Sequence, residues 1–316
     1  MKLALAGDTM LGRGVAEALE SRAPEKLVSP EVVEAAQEAD VFLLNLECCI
    51  SERGERWPDP RKPFFFRAPP RATELLAHLG VGCVTLANNH ALDFGEDALL
   101  DTFEHLADAG IRWVGAGATV DEARAAVTVE AGGSALVVVA ATDHPRAYAA
   151  GPERPGVAFA DLGRGLPDGL RELVLEQHKL GPVLATVHWG PNMVAAPVPH
   201  VRVAAEELRA AGAALVAGHS AHVFHGVAGP VLYDLGDFLD DYRVDPVLRN
   251  DLGLLVLATL AEGEFRGLEA VPVKLDFCRT RLADGADAAW IRERFRRACA
   301  ALGTGVREVE GRLVIP

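Results

Sequence analysis

The chain has 316 residues, half of them hydrophobic and 24% charged, which suits one large α/β domain or two small ones and argues against a disordered chain. Its 45 acidic against 31 basic side chains leave a net charge of −14, so neither nucleic acid nor a membrane surface is an expected partner. Five cysteines, odd in number and without a CxxC pair, argue against a disulfide framework or a cysteine-built zinc site and fit buried small hydrophobes in a reducing compartment.

The first apolar run, at residues 3–6, is short and leads straight into Gly7-Asp8, unlike a signal peptide. No apolar run reaches the roughly 20 residues that span a bilayer, so a cytoplasmic protein is expected. Val- and Leu-rich runs without polar alternation predict strands buried on both faces at 3–6, 41–44, 83–86, 111–114, 135–140, 183–187, 213–216 and 231–233. Amphipathic stretches between them predict helices over 71–79, 98–109 and 200–211, with Gly80, Gly110 and Gly212 at their C-terminal ends. Residues 148–170, rich in Gly, Pro and charge, read as a long surface loop or lid. In the tail, 252–260 and 268–275 read as a closing hairpin, 288–302 as a basic helix and 312–315 as a final strand, completing one domain over residues 1–316.

Polar clusters follow several of these strands, where loops converge in α/β sheets. Gly7-Asp8-Thr9-Met10 offers a carboxylate able to bridge two metal ions, or alternatively a helix N-cap. In Asn45-Leu46-Glu47 the glutamate sits among apolar residues; once buried it needs a cation, a donor, or an arginine such as Arg53 or Arg56. Asn88-Asn89-His90, with Asp93 three residues on, offers an amide oxygen for a metal, an imidazole for acid catalysis and a carboxylate to hold its tautomer; a plain polar turn is the alternative. His188 ends the run 183–187 and is either a ligand or a packed side chain, while Gly218-His219-Ser220-Ala221-His222 brings two histidines three apart. The direction of His225 is left open. Oxygen and imidazole donors in this mixture suit Mn, Fe or Zn.

The order Gly-Asp, Asn-Leu-Glu, Asn-Asn-His-x-x-Asp-x-Gly, His-Trp-Gly and Gly-His-x-x-His resembles the CapA (poly-γ-glutamate or capsule synthesis) family of calcineurin-like metallophosphatases. Tyr233-Asp234-Leu235-Gly236-Asp237-Phe238 is similar to that family's Tyr-Ser-Leu-Gly-Asn-Phe element. The resemblance implies a four-layer αββα sandwich of two mixed β-sheets flanked by helices. It implies one or two divalent metal ions, with Asp8, Glu47, Asn89, His188, His219 and His222 as ligand candidates. His90, supported by Asp93, becomes the candidate general acid of a phosphoesterase that uses metal-activated water on a small-molecule or polymer substrate. The tighter site is expected at Asp8, Asn89, His188 and His219, and occupancy is expected to fall below pH about 6.5 as its imidazoles protonate. The second site relies on Asp8, Glu47 and His222, because Met10 stands where the wider superfamily has a histidine. Asn192 and Asp237 also depart from the family pattern, which leaves the substrate open. The competing expectation is a non-catalytic accessory protein of poly-γ-glutamate or capsule polymer assembly.

Overall fold

Side chains alternate across a strand, so one buried strand feeds two cores. The computed structural model describes Met1–Pro316, the side chain of Ala131 excepted. In the first strand, Lys2–Thr9, Ala4 and Ala6 join a core that includes Leu19, Leu75, Leu76 and Leu99 from helices Arg13–Ser21, Ala72–His78 and Gly95–Asp108. Leu3 and Leu5 face the opposite way, into a core with Leu136, Val138, Leu184 and Leu215 of the second sheet. The other face of that sheet, including Val137, Val139 and Ala185, packs on Val174 of helix Asp168–His178 and Val201, Ala205 and Leu208 of helix Pro199–Ala210. Three apolar seams therefore separate four layers, helix, sheet, sheet, helix: the αββα α/β fold expected.

The larger sheet has ten strands. Its main path runs Arg307–Val309, Arg312–Ile315, Glu264–Asp276, Leu252–Ala261, Lys2–Thr9, Val41–Leu46, Val81–Thr85 and Arg112–Val114. The last four are mutually parallel, whereas Leu252–Ala261 joins the first strand antiparallel. The six-stranded sheet is centred on the parallel strands Ser134–Thr142, Val183–His188 and Ala213–His219. Continuous Val/Leu runs made these central strands legible, and the expected hairpin of the tail closes the larger sheet against Lys2–Thr9.

Some elements differ from expectation. Helices Arg13–Ser21 and Pro30–Ala36 have only 9 and 7 residues, too few for a strong helical period. Residues 148–170 are not a free lid. They bury Tyr148, Val157, Ala158, Ala160, Leu162 and Leu166, pair Gly156–Val157 with Ala116–Gly117, and end in the start of helix Asp168–His178. All five cysteines are free and buried, as expected. Among the described residues no helix is long and apolar enough to cross a membrane.

The first strand carries a register shift between Ala6 and Asp8. There the backbone of Gly7 presses on the turn at Gly236: a Cβ on Gly7 would stand 1.8 Å from the Gly236 carbonyl oxygen, to which Asp8 N donates at 2.9 Å. Gly7→Ala is therefore expected to cost about 3 kcal/mol of unfolding free energy in denaturant titrations, the upper end of ordinary overpacking. Gly169→Ala, whose Cβ meets nothing within 4 Å, should leave stability unchanged or slightly raised. Equal stability of Gly7→Ala and the parent would contradict the tight approach.

Candidate metal centre

The parallel strands of both sheets end around Asp8. Its Oδ1 accepts from Asn45 Nδ2 at 2.7 Å and its Oδ2 from Ser220 N at 3.2 Å, which ties the larger sheet to the Gly218–His222 turn. The helix-cap alternative is excluded: helix Arg13–Ser21 starts after Gly12 and has no side-chain cap. Asn88 makes the polar turn, donating to Asn45 Oδ1 (2.9 Å) and Leu46 O (2.8 Å) and accepting from His90 N (3.0 Å). That division of labour leaves the buried Oδ1 of Asn89 without a partner.

Two groups of donors converge, both including Asp8, with ligand atoms of each group within 4.8 Å of one another: Asp8, His188 and His219, and Asp8, Glu47 and His222. In the first, Nδ1 of His188 and His219 stand 3.9 and 3.7 Å from Asp8 Oδ1. The two Nδ1 atoms are 2.8 Å apart, and His219 Nε2 meets Thr186 Oγ1 at 3.1 Å. With His219 Nε2–H donating to Thr186, its Nδ1 lone pair is free for a cation, the usual way a neighbouring group sets a ligand tautomer. In the second group, His222 Nδ1 lies 3.3 Å from Asp8 Oδ2 and 2.8 Å from Asp237 Oδ1. Glu47 Oε2 accepts from Tyr242 OH at 3.1 Å, and its Oε1 has no partner. Neither arginine weighed for it arrives, since Arg53 pairs with Asp101 and Arg56 lies over Phe65. Met10 is buried in the core, its Sδ accepting from Gly12 N. His225 donates to Val194 O at 2.8 Å and belongs to neither group.

Several residues had no place among the sequence candidates: Asp237, Tyr242, Asp234 and Asp240. Their signal was present, a dense run of aspartates directly after the strand Val231–Leu232. Asp234 fastens the site, accepting from Ala221 N and Gly236 N at 2.9 Å each. His90 Nδ1 meets Asp93 Oδ2 at 2.6 Å, and His90 Nε2 faces Glu47 Oε1 at 3.9 Å. Asp93 in turn accepts from Phe66 N (2.7 Å), Lys62 Nζ (2.9 Å) and Tyr148 OH (3.1 Å), which fixes the orientation of the imidazole it holds.

Burial of so many acids is the dominant electrostatic fact. Desolvation lifts Asp8 and Asp234 to about 7 and Asp240 to about 6, and puts Glu47 and Asp237 well above the usual carboxylate range. Burial opposes charge on His222, but Glu47, Asp8 and Asp234 outweigh it and raise the imidazole. Burial drives His188 far down and His219 to about 3. Among the described residues these carboxylates form no ion pair with lysine or arginine, and the only ionisable bases near Asp8, Glu47 and Asp237 are histidines. The unpartnered buried atoms Glu47 Oε1, Asn89 Oδ1, His188 Nε2 and Asp237 Oδ2, together with this excess of acid, fit a centre for divalent cations.

Titrating chelator-stripped protein with Mn²⁺ is expected to show two steps of unequal affinity. His188→Ala or His219→Ala should remove the tighter, and Asp237→Asn should weaken the other. A single step, or a tight step that survives His219→Ala, would contradict the assignment. The pH dependence differs from the expectation of imidazole protonation near 6.5. His188 and His219 are already neutral there, whereas metal-free Asp8 keeps its proton up to about pH 7 and must lose it to hold a cation. Mn²⁺ affinity should therefore fall, with proton uptake on release, as pH drops through about 7. A pH-independent affinity between 6 and 8 would contradict the raised acids.

Residues 2–242 match the family described as bacterial capsule synthesis protein PGA_cap. A probable polyglutamine synthesis accessory protein of Mycobacterium tuberculosis is 34% identical over 286 residues, 84% of this chain and 74% of that protein. The PGA biosynthesis protein CapA of Bacillus subtilis is 26% identical over 243 residues, 74% of this chain and 62% of that one. Among solved structures, a putative 5′-nucleotidase from Staphylococcus aureus is superposable over 93% of this chain and 58% of its own, with a TM-score of 0.48 and 13% identity. The match runs from the first strand through Tyr242 and so takes in every residue of the centre, and the chain belongs to the bacterial capsule synthesis (PGA_cap) family.

Proposed function

We propose that this chain is a metal-dependent phosphoesterase acting on phosphate mono- or diesters. The observation that carries the reading is the His90–Asp93 pair, whose imidazole faces Glu47 Oε1 at 3.9 Å on the edge of the donor cluster. A pure binding site needs cation ligands and anchoring donors. It has no need of an imidazole fixed in one tautomer beside them. Cations held by Asp8, Asn89, His188 and His219, and by Asp8, Glu47, Asp237 and His222, would polarise the phosphoryl group and acidify a water.

The protein's own part is to hold and move a proton. Burial pushes His90 down to about 4 against the pull of Asp93, so in the free protein at neutral pH the ring is neutral, Nδ1–H on Asp93 and Nε2 open toward Glu47. An arriving phosphate adds negative charge beside the ring and favours the imidazolium. The ester P–O bond then breaks as water oxygen bonds to phosphorus. The leaving oxygen takes its proton from His90 Nε2, which gained it from solvent as the phosphate bound, and the attacking water gives one proton back to solvent, so protons balance over the cycle. Phe66 stacks on the ring with centroids 4.0 Å apart, and Asp93 holds its other edge, so the proton is delivered in one direction.

The naming of the Mycobacterium tuberculosis relative as an accessory protein favours a second reading, a non-catalytic component that binds polymer or protein in poly-γ-glutamate or capsule assembly. An assay of the Mn²⁺-loaded protein on a panel of phosphate mono- and diesters separates the two. Turnover is expected, with His90→Ala retaining its metal and slowing hydrolysis by roughly 10²–10⁴-fold. No hydrolysis of any ester would sink the phosphoesterase reading, and an unchanged rate in His90→Ala would remove that residue from the mechanism.

A further inference from the structure

The wall that carries His90 is built of aromatic rings, and the outermost of them, Phe64, has no part in the metal chemistry. Phe66 lies on the His90 imidazole at 28°, Phe64 stacks on Phe66 with centroids 6.4 Å apart at 14°, and Tyr242 flanks Phe66 at 5.7 Å. The Arg13 guanidinium sits 5.4–5.7 Å from the centroids of all three rings and is tied to Asp241 at 2.8 Å. These side chains, with Asn192, Arg243 and Asn250, surround a cleft of about 310 Å³ at whose inner end lie His90 and His222. Phe64 is 55% exposed at the mouth, an apolar face left in water beside the reacting groups. The segment holding it is Pro63-Phe64-Phe65-Phe66, three consecutive aromatics at the end of a largely charged stretch that begins at Glu52 and holds one other aromatic, Trp57.

The geometry points to a substrate class: phosphoesters whose leaving group carries a planar, unsaturated ring, rather than an alkyl or polyhydroxyl chain. The inference rests on the phosphoesterase reading, because that reading puts the leaving oxygen at His90 Nε2. A group attached to that oxygen must leave along the wall on which His90 is stacked, past Phe66 and Phe64. A flat ring there covers the exposed face of Phe64, gains stacking beyond plain area burial, and meets the polar edge of Arg13, Asn192 and Asn250. A cleft of this volume stands at the small end of ligand pockets and suits a monomeric substrate.

Non-hydrolysable phosphonates test this by binding alone. In calorimetry with the Mn²⁺-loaded protein, benzylphosphonate is expected to bind roughly three- to tenfold more tightly than cyclohexylmethylphosphonate, which has similar bulk and charge but no flat face. The preference should shrink toward equality in Phe64→Ala, an exposed position, and return in Phe64→Trp. Equal affinity of the two ligands for the parent, failure of both to bind, or a preference that survives Phe64→Ala would overturn the inference. Failure of the phosphoesterase reading shows separately, as absence of ester hydrolysis in a protein that still prefers the benzyl ligand.

Discussion

Charge without counter-charge is the constraint on which this structure turns. Asp8, Glu47, Asp234, Asp237 and Asp240 are all buried around His222, the one imidazole among them whose pKa is raised, and none of them pairs with a lysine or arginine among the described residues. Ionised carboxylates in such a place cost several kcal/mol each unless a cation joins them, and protonated ones leave acceptors such as Glu47 Oε1 and Asp237 Oδ2 unmatched. Divalent cations resolve both problems at once. Loaded with such cations, the centre would accept an anion in a chain whose overall charge is −14.

The backbone is arranged to make that burial possible. Each parallel strand ends at the same edge, so Asp8, Asn45, His188 and His219 arrive from four strands on rigid backbone. The Gly7–Gly236 approach is the join: it sets Asp8 against the turn that carries Asp234 and Asp237, and only a residue without a side chain fits at position 7. Left-handed backbone at Ser220 and His222 (φ +118° and +58°) swings the loop after Ala213–His219 back over Asp8. Metal affinity and fold stability should therefore be linked through these few contacts.

Much of this was legible in the residues. Continuous apolar runs gave the central strands because parallel strands buried on both faces cannot alternate polar and apolar positions, and the candidate ligands stood shortly after such runs, from one residue past for His188 to six for His222. Other parts were written less plainly. Asp237 and Tyr242 come from a segment without periodicity, and their approach to Glu47 and His222 depends on how the last parallel strand of one sheet crosses to the other. The direction of His225 could not be read because a loop has no fixed side-chain period. The aromatic wall of Phe64 and Phe66 lies in a loop whose path is set by Asp93 accepting from Phe66 N, a contact between residues 27 apart. The buried stretch at 148–170 resembled a lid in composition, yet its apolar residues at 157, 158, 160, 162 and 166 were the sign that it packs.

The central claim is that Asp8 stands between two cations. An anomalous-difference map collected at the manganese edge, from crystals grown with Mn²⁺ near pH 8, addresses it without reference to any substrate. Two peaks are expected, both within ligand distance of the Asp8 carboxylate, one on the side of His188 and His219 and the other on the side of Glu47, His222 and Asp237. A map with no peak at Asp8, or with manganese bound only elsewhere on the acidic surface, would contradict the account.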